Sequence, residues 1–284
     1  MSDAELYRSV LYIPGSKERA LEKAKTLDVD AIIFDLEDAV APEEKETARS
    51  TLAAQLGASD YGHRVRIVRI NGLDTPWGAE DAKAAAAMAC DAVLLPKTES
   101  GEQVLELARL VPGKPIWCMM ETPRGVLNAL EIADTAPVAG FVMGTNDLAK
   151  DIECATGGDR LAMMTGLQTC LMAARAAGIV IVDGVYNAFK DDAGLRAECE
   201  QGLALGMDGK TLIHPAQVAI ANDVFAPTQD AVDLAERQIA AFEEAEAKGQ
   251  GVAVVDGKIV ENLHIVTARA TLAKAQAVRE REAV

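Results

Sequence analysis

The chain has 284 residues, half of them hydrophobic and only 4% aromatic, with a formal net charge of −16. The length suits one large domain or a domain with an appendage, and an aromatic-poor core of Ala, Val, Leu and Ile suits an α/β protein. So acidic a chain, without any basic run, argues against nucleic-acid binding, although local arginines or a metal can still draw in an anionic substrate.

In chain order, short apolar runs at 9–13, 31–34, 65–70, 92–95, 116–120, 141–143, 179–182 and 211–213 read as strands. Amphipathic stretches at 16–27, 42–56, 77–88, 101–110, 160–177 and 194–205 read as helices between them. The strand runs are mostly unbroken rather than alternating in polarity, which argues for a parallel sheet buried on both faces. Eight such units predict a (β/α)₈ TIM barrel over residues 1–225, with an open doubly wound sheet as the alternative. Residues 226–284 break the pattern. A charged helix at 228–248 precedes Asp256-Gly257, a strong hairpin signal between two apolar runs, and a second helix follows at 265–281. An isolated hairpin is marginal in water, so this helix–hairpin–helix segment is expected to dock on the barrel or on a neighbouring subunit, as a lid.

No run of 18 apolar residues predicts a membrane span, and residues 1–5 lack the basic and apolar parts of a secretory signal. Cys90, Cys118, Cys154, Cys170 and Cys199 are scattered and odd in number. Without C-x-x-C spacing they suggest neither a disulfide framework nor a zinc site, and they fit a reducing cytoplasm.

Parallel barrels keep their chemistry where strands end. Glu121 and Asp147 each follow an apolar run, and two carboxylates at consecutive strand ends can seat one Mg²⁺, which prefers oxygen ligands and keeps positions for water or substrate. Arg69 ends the third run, as a ligand for negative charge or as a structural salt bridge. Arg66 and Arg69 point to opposite faces of a regular strand, and Arg69 is the better ligand candidate. Asp35, Glu37 and Asp38 follow the second run, either as an acidic rim facing Arg69 and a metal or as helix-capping, solvated charge. Pro14-Gly15 makes a turn after the first run, and Ser16 is placed to cap the next helix. With Lys17 and Arg19, that junction is a phosphate cradle or an ordinary strand–turn–helix connection. Lys97 has two readings, a Schiff-base lysine or a partner in an ion pair. His214 ends the eighth run as a general base, a helix cap or a nucleotide contact. No two histidines share a helical spacing suited to metal, which disfavours a zinc hydrolase.

Eight motifs in order then carry a resemblance. They are LYIPGS at 11–16, DLEDAVAPEEK at 35–45, VRING at 68–72, LLPK at 94–97, METPRG at 120–125, GTNDLAK at 144–150, VDGVYNAFKD at 182–191 and GKTLIHPAQ at 209–217. Together they resemble the citrate lyase β-subunit-like branch of the HpcH/HpaI aldolase superfamily, and within it the short enzymes that process malyl-CoA. The resemblance implies the barrel, Mg²⁺ (or Mn²⁺) on Glu121 and Asp147, and Arg69 on the substrate carbonyl. It also implies a coenzyme A side lined by Pro14, Gly15, Ser16, Lys17, Arg19, Lys210, His214 and Pro215. Finally, it implies a homotrimer or hexamer in which the C-terminal lid reaches a neighbouring active site. One departure stands out: lyases of this branch usually carry a lid aspartate where this chain has Glu261. One extra methylene moves the carboxylate by about 1 Å, a shift that can cost about 10²-fold when a base must be aligned. Hydrolysis of a malyl-CoA thioester is therefore expected, with carbon–carbon cleavage of a malyl-, citramalyl- or citryl-CoA type ester as the alternative. Glu261 is the candidate base, Asp38 its alternate, and Glu37 part of the acidic rim.

Overall fold

The computed structural model describes residues 5–283; residues 1–4, read above for targeting signals, and residue 284 lie outside it. The chain forms two compact units, Tyr7–Asp223 and a second made of residues 5–6 and 224–283. In the first, eight parallel strands close into a barrel in sequence order. They are β1 (Ser9–Pro14), β2 (Ala31–Asp35), β3 (Val65–Arg69), β4 (Ala92–Leu95), β5 (Ile116–Met120), β6 (Val138–Met143), β7 (Val180–Asp183) and β8 (Gly209–Leu212). The sheet is closed, so the open doubly wound alternative falls away. The intervening helices are α1 (Glu18–Ala24), α2 (Lys45–Ala58), α3 (Gly78–Ala87), α4 (Gly101–Leu110), α5 (Pro123–Leu127), α6 (Ala129–Ala133), α7 (Thr145–Asp151), α8 (Met164–Ala177) and α9 (Asp192–Leu205), and α10 (Val218–Phe225) follows β8. No helix among the described residues is long and apolar enough to cross a membrane.

Strand parity explains the unbroken apolar runs. Val10, Ile33, Ile67, Leu94, Trp117, Val142 and Val182 cluster together as one core. Their neighbours of opposite parity, such as Ile32, Val68, Val93, Cys118, Phe141 and Ile181, are just as buried. Each such side chain contributes ~1.5–3 kcal/mol by leaving water. Trp117 lies 5.1 Å from the Tyr7 ring and fills the barrel's width. Gly140 on β6 makes room for it: a Cβ there would come within 2.6 Å of the indole.

Register sets the mouth. Pro14 stands opposite Asp35, and Asp35 opposite Arg69, so the ends of β1, β2 and β3 are level. Met120 stands opposite Met143, which brings the residues after β5 and β6 to the same rim. The two arginines of β3 part as parity requires: Arg66 forms a fork with Asp91 at 2.8 Å, and Arg69 turns to the mouth.

Several element bounds differ from the sequence reading, and two of the differences have a visible cause. The helix expected over 160–177 begins with Arg160 at φ 53°, passes through a short 3₁₀ turn (Leu161–Met163) and becomes regular at α8. The Arg160 side chain reaches Asp183 and Gln201, which anchors the residue outside a helical turn. Strand β8 starts at Gly209 rather than 211, because Lys210 is buried by ion pairing and an apolar scan passes over it.

In the second unit, α11 (Gln229–Ala247) starts on a Thr228 cap whose hydroxyl accepts from the Ala231 amide at 3.2 Å. The hairpin β9 (Ala253–Val255) and β10 (Lys258–Val260) turns at Asp256 and Gly257, with φ of 51° and 73°. Two positive φ values in a row give the primed turn that suits strand twist, which is why Asp-Gly stands there. Helix α12 (Asn262–Glu282) packs along α11. Phe242, Ala245, Ala253, Val260 and Ile265 form the small core beneath the hairpin.

Candidate active site

A cavity of about 300 Å³ opens at the C-terminal mouth of the barrel, lined by Tyr12, Asp35, Asp38, Arg69, Met119, Glu121, Thr145, Asn146, Asp147 and Asn187, among others. Arg69 is held by a fork to Asp35, with Nε donating to Oδ1 at 2.7 Å and Nη2 to Oδ2 at 2.6 Å. Its Nη1 lies 2.9 Å from Glu37 and 3.6 Å from Asp38. Burial pushes the Asp35 carboxyl up, but the charge and hydrogen bonds of Arg69 outweigh it and hold Asp35 below the usual carboxylate range. Asp35 also accepts the amides of Glu37 at 2.9 Å and Ala39 at 3.0 Å. The Asp-Leu-Glu-Asp segment is thus both a capped turn and an acidic rim around Arg69. Glu37 is raised by burial in spite of Arg69, and it bonds Lys97 Nζ at 3.0 Å. For Lys97 burial pulls downward, yet the Glu37 partnership leaves the net shift upward, which is the wrong direction for a Schiff-base lysine.

Glu121 follows β5 and is 1% exposed. The Lys97 backbone amide donates to its Oε1 at 2.8 Å. Burial drives the Glu121 carboxyl up to about 7, and the charge of Asp147 adds to the shift. Gly144 follows the neighbouring strand as the N-cap of α7, and a Cβ at that position would collide with the Glu121 side chain. Asp147 sits in the first turn of α7. A buried carboxyl facing a second carboxylate is poorly stabilised as an anion unless a cation joins it. Among the described residues no group of three or more His, Cys, Asp or Glu converges as a cage. The protein therefore offers two hard oxygen donors and leaves other positions to water and substrate, which fits Mg²⁺.

A family model described as HpcH/HpaI aldolase/citrate lyase matches residues 8–215. The chain belongs to this family. It is 64% identical over 275 residues to a (3S)-malyl-CoA thioesterase of Cereibacter sphaeroides, covering 97% of this chain and 96% of that protein. It is 34% identical over 281 residues to the citrate lyase subunit beta of Escherichia coli K12, covering 95% of this chain and 93% of that one. A crystal structure of CitE from Mycobacterium tuberculosis in complex with magnesium, acetoacetate and coenzyme A superposes with a TM-score of 0.83 at 30% identity, covering 96% and 99% of the two chains.

The remaining sequence-predicted residues divide. In the β1 turn, the Gly15 amide donates to the Asp35 carbonyl at 2.8 Å. Lys17, and not Ser16, is the N-cap of α1, while the buried Ser16 Oγ has no hydrogen-bond partner among the described residues. Lys17 and Arg19 are exposed, with Lys17 Nζ 3.8 Å from Glu44. His214 caps the turn at Pro215–Gln217, its Nδ1 accepting from the Ala216 amide at 3.1 Å, and it stacks on Phe189 at 4.6 Å.

Lys210 is a correction. It is fully buried, with Nζ bonded to Glu198 at 2.6 Å and to the Gly184 carbonyl at 2.6 Å, and 3.4 Å from Asp183. Parity places it on the outer face of β8, away from the mouth, and its burial leaves it no open surface on which to line a coenzyme A site. Glu261 belongs to the second unit, where it caps α12 in a reciprocal box with His264.

Three lining features escaped the sequence reading. Tyr12 looked like one more apolar strand residue. Asn146 and Asn187 exchange amide hydrogen bonds at 2.8 and 3.3 Å across the cavity rim. Both lie in the GTNDLAK and VDGVYNAFKD motifs, where the search for charged groups passed over amides.

Proposed function

We propose that this chain hydrolyses (3S)-malyl-CoA to malate and free coenzyme A, with a divalent cation on Glu121 and Asp147. The observation that carries the substrate is the 64% identity to a (3S)-malyl-CoA thioesterase over 97% of the chain. The mouth offers the groups such a reaction needs. When bound, Mg²⁺ supplies a hard Lewis acid that suits the malyl carboxylate and hydroxyl together with water, and Mn²⁺ suits the same donors.

The chain's own residues do the rest. Asp35 fixes Arg69 through two bonds, so the guanidinium is aligned before substrate arrives. As water adds to the thioester carbon, charge builds on the carbonyl oxygen. One preorganised donor at such an oxygen is worth about 10²–10³ in rate. The water's proton passes to a carboxylate, Glu261 from a second copy of the chain or Asp38 on the rim, and the proton leaves with coenzyme A as its thiol when the C–S bond breaks. Glu37, between Arg69 and Lys97, balances the charge of the rim. Pro14, Gly15, Ser16, Lys17, Arg19, His214 and Pro215 face the coenzyme A side in this reading. Residues 226–284 serve as the lid over the 1–225 barrel of a neighbour, in a homotrimer or hexamer. Four of the five cysteines are buried thiols, in keeping with a reducing cytoplasm.

The similarity to citrate lyase subunit beta supports a second reading, retro-Claisen cleavage to acetyl-CoA and an oxoacid. It places the same charge on the same oxygen and differs in the base, which takes the substrate hydroxyl proton instead of water's. Product analysis with (3S)-malyl-CoA and Mg²⁺ separates them. Free thiol and malate without glyoxylate establish the hydrolase. Stoichiometric glyoxylate and acetyl-CoA with little thiol would sink it, and Glu261→Asp is then the variant expected to raise cleavage further.

A further inference from the structure

We propose that the Tyr12 hydroxyl is a catalytic hydrogen-bond donor to the thioester carbonyl oxygen; this rests on the reading that the mouth acts on a CoA thioester. Tyr12 lies on β1, packs against the barrel core from above and is only partly buried. The surface it leaves open lines the mouth cavity. Its hydroxyl reaches Met119 on β5, four strands round the barrel, and donates to the thioether at 3.3 Å. The hydroxyl thus stands at the floor of the cavity.

Two observations make this donor available where a donor is needed. Thioether sulfur is a weak acceptor, so the hydroxyl gives up little when an oxygen arrives, and its proton can rotate toward that oxygen without moving the ring. Arg69, by contrast, is already engaged: Nε and Nη2 bond Asp35, and Nη1 faces Glu37 and Asp38. Two of its five N–H groups are held in the fork and Nη1 faces the acidic rim, so it brings its charge together with few free N–H directions. A hole for a developing oxyanion needs an aimed donor as well as charge. The Arg69 guanidinium sits 4.9 Å over the Tyr12 ring. This holds the ring beside the positive charge. Burial, the largest influence, outweighs Arg69 and raises the phenol above its ordinary range, so it keeps its proton.

The test is Tyr12→Phe, which removes one oxygen and keeps the ring under Arg69. The expected result is a fall in kcat of about 10²–10³-fold with little change in KM, measured on whichever reaction wild type catalyses with (3S)-malyl-CoA. Both hydrolysis and cleavage build charge on the same oxygen, so the outcome does not depend on which of them occurs. Calorimetric binding of (S)-lactate in the presence of Mg²⁺ should be unchanged in the variant, since lactate keeps the hydroxyl and its neighbouring carboxylate but has no acyl carbon, and so no oxygen for this donor. Full kcat in Tyr12→Phe overturns the assignment, and so does a raised KM at unchanged kcat. Loss of lactate binding together with activity also overturns it, by showing that the hydroxyl supports the cavity's structure. Wild-type inactivity toward every CoA thioester tried would instead fell the functional reading on which the assignment stands.

Discussion

The molecule contains two arginine–aspartate clusters at strand ends, joined by different geometry and set in different surroundings. At the mouth, Arg69 forks onto Asp35, with Glu37 and Lys97 beside them. On the outer face of the sheet, Arg160 bonds both oxygens of Asp183 at 2.8 Å, with Lys210 and Glu198 beside them. Both aspartates end a strand. Asp35 opens into a cavity, whereas Asp183 and Lys210 are fully buried. Charge balance differs too. Two cations meet two carboxylates in the outer cluster, whereas five carboxylates (Asp35, Glu37, Asp38, Glu121 and Asp147) meet Arg69, Lys97 and Lys45 around the mouth among the described residues. The balanced cluster, whose Arg160 and Glu198 border a second cavity, holds strand to helix. An open cluster with surplus negative charge invites a cation, and with it a substrate. Being at a strand end does not make a residue functional; its parity decides which side of the wall it serves.

Matched substitutions would break that comparison most directly. Asp183→Asn strips a buried pair of one partner and leaves Arg160 and Lys210 with Glu198 as the cluster's one remaining carboxylate, at a cost of about 3–5 kcal/mol. The urea midpoint should fall steeply, while KM of the fraction still folded is retained. Asp35→Asn should do the reverse. Arg69 keeps Glu37 and Asp38 as neighbours, so the fold survives, but the guanidinium loses its alignment and kcat falls by about 10²-fold. If Asp35→Asn unfolds the protein while Asp183→Asn spares stability and abolishes turnover, the assignment of the two clusters is inverted.

The barrel was readable because both faces of its strands are buried, which writes eight unbroken apolar runs into the chain. The Asp256-Gly257 turn was readable because only a few residue pairs tolerate two positive φ values in succession. The separation of Arg66 from Arg69 followed from strand alternation alone. Lys210 misled for lack of the same reasoning: it lies one residue from Thr211, whose side lines the cavity, so the two face opposite ways. Tyr12 was hidden because an aromatic residue inside an apolar run carries no mark of which end of the barrel it faces. The irregular start of α8 was hidden because its cause, a contact between Arg160 and Asp183, spans 23 residues.

Glu121 gives a pH test that sharpens the role of the mouth. Its carboxyl is raised from 4.5 to about 7 by burial first and by Asp147 among the lesser causes. A raised carboxyl means that the metal-free folded state binds more protons than the unfolded chain between those two values. Stability of the metal-free protein should therefore fall as pH rises from about 4.5 to about 7, and level off above. Mg²⁺ must displace that proton, so its affinity should rise about tenfold per pH unit below about 7 and flatten beyond. Calorimetric titration across this range checks both statements. Glu121→Gln should erase the pH dependence along with most of the binding. A Mg²⁺ affinity that is flat from pH 5 to 8 in wild type would remove Glu121 from the cation's neighbours.

The smallest expected effect comes from a second fork shaped like that of Arg69 and Asp35. Arg66 meets Asp91 through Nε at 3.0 Å and Nη2 at 2.8 Å, and the Asp91 carboxylate also accepts the Arg66 amide at 2.8 Å. The two side chains are 29% and 42% exposed. Burial raises the Asp91 carboxyl, but the hydrogen bonds from Arg66 outweigh it and leave the net shift downward. The stability it lends is thus complete above the unfolded value of 3.8 and is lost as pH falls through the lower folded value. Water screens the pair, so Asp91→Asn should cost no more than about 1 kcal/mol at neutral pH, and the difference from wild type should shrink in acid. The Arg66 and Arg69 forks share one geometry, Nε and Nη2 on the two carboxylate oxygens, whereas both Asp183 oxygens accept from the single nitrogen Nη1 of Arg160. A urea midpoint for Asp91→Asn as low as that for Asp183→Asn would show that ion pairing itself, and not its burial, sets the energy, and the contrast between mouth and outer wall would lose its physical basis.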